Sequence, residues 1–196
     1  MSTSRERYHH GDLRSALIEA GVALLREVGP AALSLRAAAR RAGVSAMAPY
    51  RHFADKDDLL AAVAAHGFQL FGAALAQSAA AQTGAGDALR AQGVAYVRFA
   101  TAEPALFRLM FGPVIGGEAG LEALKGAGAP AFDHLRAGVA AAMPGLEAQA
   151  REDFVLACWS IVHGLSCLLV DGKIPPLDDL DGAVERMLRL LLPPNA

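Results

Sequence analysis

Cysteine is nearly missing from the sequence: 196 residues hold two, together with a single tryptophan. Two cysteines do not make a disulfide scaffold, and a chain of this length buries enough core to stand without one. Cys158 and Cys167 lie nine residues apart. On one helix that spacing sets them on opposite faces, roughly 13 Å apart along the axis, and forbids a bridge between them. They are expected to be small buried hydrophobes. β-Branched residues are sparse and nothing alternates for long with period two, so no sheet is expected. A basic surplus is missing as well, with 18 Lys and Arg against 20 Asp and Glu and a net charge of −2. On average that argues against a nucleic-acid partner.

The mean hydropathy of +0.30 hints at a membrane, but long uninterrupted apolar runs are lacking. The longest uncharged stretches are 59–86 and 154–170. His66, Gln69, Gln77, Ser78, Gln82 and Thr83 break the first, and Ser160, His163 and Ser166 lie inside the second. A spanning helix wants roughly 20 predominantly apolar residues with few interruptions. The N-terminus has no apolar core suited to a signal peptide. The expectation is a cytoplasmic protein with no membrane segment.

Enzyme motifs are absent too. There is no Gly-x-Ser-x-Gly elbow, no Gly-Lys-Ser/Thr phosphate loop, no His-Glu-x-x-His and no complete Gly-x-Gly-x-x-Gly. Ser160, His163 and Asp171 span three helical turns and cannot converge on one face. His163 and Cys167 offer two metal ligands at i, i+4 without visible partners, so no metal or other cofactor is expected. A rival to any binding function is a helical interaction protein without chemistry of its own.

What is present is unevenly placed. Residues 1–56 hold nine basic residues (Arg5, Arg7, Arg14, Arg26, Arg36, Arg40, Arg41, Arg51, Lys56) and five acidic ones, a balance of +4. The remainder carries −6. A basic head on an acidic body points to an anionic partner for the head.

Ala, Leu, Arg and Glu dominate, all good helix formers. Leu13, Leu17, Ala20, Leu24 and Val28, with spacings of 4, 3, 4 and 4, form one helical stripe that Gly29-Pro30 stops. Ser34 caps a short helix through Ala42 that Gly43 ends. Ser45 caps a second, reaching about Phe53. Asp55 opens a long helix, with Asp58 placed as in a capping box. Further helices are expected over 86–102, 104–111, near 118–125, 130–142, 147–171 and 178–192. The Gly/Pro-rich stretch from Gly112 to Pro130 reads as the likeliest loop to move. The fold class is all-α.

Two short helices joined at Gly43-Val44-Ser45 make a helix-turn-helix. The second helix would expose Ala46, Met47, Ala48 and Arg51 and turn Phe53 inward. Such a helix fits the DNA major groove, roughly 12 Å wide, with its N-terminal residues at base edges.

Ala42-Gly-Val-Ser45, Tyr50-Arg-His-Phe53, Asp55-Lys56 and Leu59-Leu60 together resemble the DNA-binding domain of the TetR/AcrR family of bacterial repressors. Tyr8-His-His-Gly-Asp-Leu-Arg14 and Trp159-Ser-Ile-Val-His-Gly164 resemble its subgroup with a WHG-type C-terminal domain. Pro49 departs from the pattern, since many members carry Leu there, and a proline so deep in a short helix removes a backbone hydrogen bond.

The resemblance implies a three-helix DNA-binding domain over 1–69 and a larger helical ligand-binding and dimerisation domain over 70–196. It implies a ligand-responsive repressor that binds a palindromic operator in double-stranded DNA as a homodimer. Arg36 falls where members often contact DNA, and its fork suits guanine or phosphate. Ser45, Tyr50, His52 and Lys56 fall where the phosphate backbone is held. Ala46, Met47 and Ala48 are short or apolar enough to meet thymine methyls. Arg5, Arg7, His9 and His10 precede the first helix as an arm that reaches a neighbouring groove. The plainer alternatives are that Arg40 and Arg41 only complement the helix dipole and that Tyr50 packs with a wet hydroxyl.

In the larger half, Phe154, Cys158, Ile161, Leu165 and Leu168 form one seam, joined by Leu180, Val184, Met187, Leu188 and Leu191 from the last helix. These are the candidate dimer interface, with filling of the monomer core as the alternative. Trp159 and His163, with Phe68, Phe71, Tyr96, Phe99, Phe107, Met110 and Phe111, are the candidate pocket for an apolar or amphipathic effector. The alternative is that Trp159 and His163 are satisfied core residues.

Overall fold

The structure, a computed structural model, describes residues 10–113 and 118–191, with side chains over 13–113 and 125–191. Among them are eight α-helices, one 3-10 turn and no strand. Helix α1 (His10–Ala32) buries Leu17 and Leu25 almost completely. The Gly-Pro pair interrupts it as the sequence predicts: Gly29 leaves helical geometry at φ 72° and ψ 175°. Val28, the end of the expected stripe, lies 53% exposed.

Helix α2 (Leu35–Arg41) begins where the Ser34 side chain accepts the Ala37 N–H at 3.1 Å. It ends in a Schellman motif. The Val44 N–H reaches the Ala39 carbonyl at 3.0 Å and the Gly43 N–H that of Arg40 at 3.3 Å, with Gly43 at φ 70°.

The helix expected from Ser45 to Phe53 does not form. In its place a turn closes from the Ala48 N–H to the Ser45 carbonyl at 3.0 Å, followed by the 3-10 turn Pro49–Arg51. Pro49 has no N–H to give to the Ser45 carbonyl, so an α-helical ladder cannot pass this point. Nor does Ser45 cap with its side chain; its carbonyl makes the turn instead.

Helix α3 (Lys56–Ala80) starts with the Asp55 carboxylate accepting the Asp58 N–H at 2.9 Å, while Asp58 accepts the Ala54 N–H at 3.0 Å. Helices α4 (Ala85–Ala102) and α5 (Pro104–Phe111) follow the expected spans closely. Helix α6 (Glu118–Ala142) does not. It is one helix running through Gly126, Gly128 and Pro130, where the sequence suggests a loop and two separate pieces. The exposed Pro130 sits within it, and close packing rather than a turn accounts for Gly128: a Cβ there would lie 3.3 Å from the Phe68 ring. Helices α7 (Ala148–Val170) and α8 (Leu180–Arg189) complete the chain.

Helix α3 is the hub, packed against α1, α4, α5 and α6, while α4 meets α6, α7 and α8. One core runs without a break from Leu17 to Leu188, so the division expected between residues 69 and 70 falls inside α3 with no gap in packing. Each fully buried leucine of this core contributes about 1.5–3 kcal/mol of transfer free energy.

Both α3 and α7 are long and apolar enough to cross a membrane by length and composition, with mean hydropathies of 1.7 and 1.8. The polar interruptions are thus a weaker disqualification than the sequence suggests. The two helices differ in cover: half of the most apolar stretch of α3 is buried, against 28% for α7.

Candidate functional site

The basic head presents its short elements to solvent. Arg36, second residue of α2, is exposed, as are Ser45, Ala46, Tyr50 and Arg51, and Met47 is 70% exposed. Ala48 and His52 are half-buried. Pro49 and Phe53 turn inward, and the Arg14 guanidinium stands 5.3 Å from the Phe53 ring centre. Arg36, Ser45, Ala46, Met47, Tyr50 and Arg51 are thus open to solvent, although the second helix expected of them is replaced by turns. The Ser45 hydroxyl has no partner among the described residues.

Lys56 is less available than its position suggests, because its ammonium donates to the Ala31 carbonyl at 3.0 Å. Two of its three protons remain for a phosphate. Arg41 pairs with Glu27 at 2.7 Å, which gives it a role besides complementing the helix dipole. Arg5, Arg7 and His9 of the expected arm lie outside the described residues, and His10, expected ahead of the first helix, is instead the first residue of α1.

The larger half holds a half-open cavity of about 530 Å³. Phe68, Phe71 and Leu75 from α3, Leu89, Gln92, Gly93 and Tyr96 from α4, and Met110 and Phe111 from α5 form its walls. Cys158, Trp159 and Val162 from α7 and Leu188 from α8 close one side. Lys125, Gly128, Ala129, Ala131, Phe132 and Leu135 bring α6 across it. Six of the nine expected pocket residues are in place: Phe68, Phe71, Tyr96, Met110, Phe111 and Trp159.

Phe99, Phe107 and His163 do not line the cavity. They stand behind it in an aromatic cluster, with Phe99 5.2 Å from Phe71 and Phe107 5.6 Å from His163 between ring centres. Of the wall the sequence does not indicate, α6 supplies the largest share, partly because Gly126, Gly128 and Pro130 read as loop.

Polar groups in the cluster satisfy one another. Trp159 Nε1–H donates to the Tyr96 oxygen at 3.4 Å, and the Tyr96 hydroxyl lies 2.8 Å from His163 Nδ1. The Tyr96 oxygen carries one proton and two lone pairs, so its bond to Nδ1 runs in the direction the His163 tautomer sets. The other ring nitrogen, Nε2, faces Cys167 Sγ at 3.5 Å. Burial lowers the His163 pKa and so favours the neutral ring. Burial also raises Tyr96, and it pushes the Cys158 thiol up to about 11, leaving it a poor nucleophile.

The expected dimer seam divides. Cys158, Leu165, Val184 and Leu188 are buried within the subunit, because the inner arc of α7 also takes in Val155, Val162 and Ser166. Those four belong to the monomer core, with Cys158 and Leu188 at the cavity. Phe154, Ile161, Leu180, Met187 and Leu191 are half-buried, and Leu168 is 44% exposed. The sequence missed Leu156, 56% exposed on the outer face of α7.

Residues 17–63 match the family described as bacterial regulatory proteins, tetR family, and residues 89–191 match the tetracyclin repressor-like C-terminal domain. No curated protein matches the sequence. Among solved structures, a protein of unknown function from Rhodococcus sp. RHA1 is 30% identical, covers 96% of this chain and 99% of its own, and has a TM-score of 0.76. A transcriptional regulator of the TetR/AcrR family from Thermobifida fusca YX-ER1 shares the fold at 21% identity, over 94% of this chain and 99% of that one, with a TM-score of 0.69. The fatty acid degradation regulator FadR from Bacillus halodurans does so at 16% identity, over 94% and 96%, with a TM-score of 0.72. With both halves matched, and exposed turns after α2 set ahead of a cavity in the larger half, the chain belongs to the TetR family and is a DNA-binding transcriptional regulator.

Proposed function

We propose that the protein is a cytoplasmic repressor: a homodimer that occupies a palindromic operator and is released when an apolar or amphipathic small molecule enters the cavity. One observation carries this reading. Helix α3 follows directly on the DNA-reading turns and also walls the cavity with Phe68, Phe71 and Leu75. A ligand that shifts those side chains moves the element on which the turns are mounted. The DNA-reading part spans 1–69 and the effector and dimer part 70–196, with α3 crossing between them.

The second subunit covers the outer face of α7. Leu156, Ser160, Gly164 and Leu168 recur every four residues along it, and nothing lies within 4 Å of a Cβ built on Gly164. Phe154 and Ile161 flank this face, with Leu180, Met187 and Leu191 contributed by the α8 side. Small residues at its centre allow a second helix to approach closely, and two-fold symmetry sets the two DNA-reading turns on a palindrome.

Release has an energetic requirement. To turn a mostly bound population mostly free, the effector must prefer the released conformer by roughly 5.5 kcal/mol, about 10⁴-fold.

The test is a gel shift with the DNA flanking the protein's own gene, using the wild type and Arg36→Ala. Specific retardation that weakens in the variant supports the reading. Absence of specific binding, or binding unchanged by the substitution, counts against it.

A further inference from the structure

We infer that the cavity selects an uncharged, largely apolar ligand carrying one amide-like group, which pairs with the Gln92 carboxamide; this rests on the reading of the cavity as an effector site. Gln92 lies one turn before Tyr96 on α4, and both line the cavity. The polar atoms of Tyr96 and Trp159 are engaged with each other and with His163. Gln92 differs: its carboxamide has no hydrogen-bond partner among the described residues. It packs beside Gly138 of α6, where a Cβ would stand 3.4 Å from Oε1 and 3.5 Å from Nε2.

A half-buried carboxamide in an apolar chamber offers a carbonyl acceptor and an N–H donor side by side. A ligand presenting the complementary pair makes two hydrogen bonds at once. One that presents neither takes both groups out of water without replacing the hydrogen bonds they lose.

Charge points the same way. Among the described lining residues there is no carboxylate, arginine or histidine, and the cation Lys125 is exposed on α6. An ammonium entering the chamber finds no counter-ion among the described lining residues. A carboxylate drawn deep enough to meet Gln92 sheds its water among phenylalanine rings for a single carboxamide. Burying either charge unpaired costs more than burying an amide.

The chain's single tryptophan, Trp159, lines the cavity, so intrinsic fluorescence reports occupancy directly. Decanamide, decanoate, decylammonium and decane are titrated into the full-length protein, the wild type beside Gln92→Leu and Gln92→Glu. The wild type is expected to bind decanamide about tenfold more tightly than either charged probe. Gln92→Leu removes that preference and Gln92→Glu moves it to decylammonium.

Equal ranking of the polar probes, or an amide preference that survives Gln92→Leu, overturns the assignment to Gln92. So does a wild type that prefers decanoate and loses that preference in Lys125→Met. If any probe binds in these cases, the effector-site reading stands while the ligand class falls. If none of the four changes Trp159 emission, both fall together.

Discussion

The Arg26 guanidinium forks onto the Glu103 carboxylate, Nε to Oε2 at 2.8 Å and Nη2 to Oε1 at 2.6 Å. Arg26 belongs to α1 in the DNA-reading head. Glu103 is the residue at which α4 ends and α5 begins, and α5 supplies Met110 and Phe111 to the cavity. The pair therefore ties the two functional regions together by a route independent of α3. Its side chains are 50% and 24% exposed, so solvent screens it heavily and its net contribution is about 0.2–1 kcal/mol. A double-mutant cycle with Arg26→Ala and Glu103→Ala in urea denaturation should return a coupling in that range. A coupling near zero would show that the fork in the structure carries no energy.

Gly67 allows α3 and α5 to touch. A Cβ there would stand 2.7 Å from Met110 Sδ and 2.9 Å from Leu106 Cδ1, and Leu106 is fully buried. Gly67→Ala is expected to lower stability by about 1–3 kcal/mol through overpacking. The observable is the urea midpoint at unchanged slope; a midpoint equal to the wild type's contradicts the packing described.

His163 supplies a pH dependence whose sign follows from its environment. Burial lowers its pKa below the usual 6.5, so below that pH the unfolded chain binds a proton that the fold resists. The stabilising contribution is present above about pH 6.5 and is lost as pH falls toward the native pKa. Thermal scans from pH 8 to 5 should show a fall below 6.5 that is shallower in His163→Gln. Equal slopes in the two proteins would remove His163 from the account.

Pro49 decides the shape of the DNA-reading segment. Replacing it by Leu restores the N–H that the Ser45 carbonyl lacks at i, i+4. The segment from Ser45 to Phe53 should then close into one α-helix, seen as a slowly exchanging amide at position 49 and a small gain in far-UV helical signal. An unprotected amide there would mean that Pro49 is not what breaks the helix.

Where a local signal settles the backbone, the sequence is legible. Ser34, Gly43 and Asp55 each define an element boundary through a hydrogen bond or a positive φ within a few residues, and the structure has all three. Pro49 marks the place of the break, but whether a short helix bends or dissolves into turns depends on what it packs against. Gly128 misleads because a glycine needed for close approach to Phe68 looks, in one dimension, like a glycine needed for a turn.

The seam on α7 shows the same limit. Cys158 and Leu165 face inward while Leu168 faces out, and a helix apolar on both sides has no periodicity that separates them. Gln92 is inconspicuous in the sequence for a related reason: a lone glutamine on a helix stands out only once its neighbours are known to be apolar.

The measurement closest to the central claim is a hydroxyl-radical footprint of the protein on the DNA flanking its own gene. Two symmetric protected patches with centres about one helical turn, 34–36 Å, apart are predicted, weakening together in Arg36→Ala. A fragment left uniformly cleaved, or a protection pattern indifferent to Arg36, would contradict the assignment of the head as a paired reader of a palindrome.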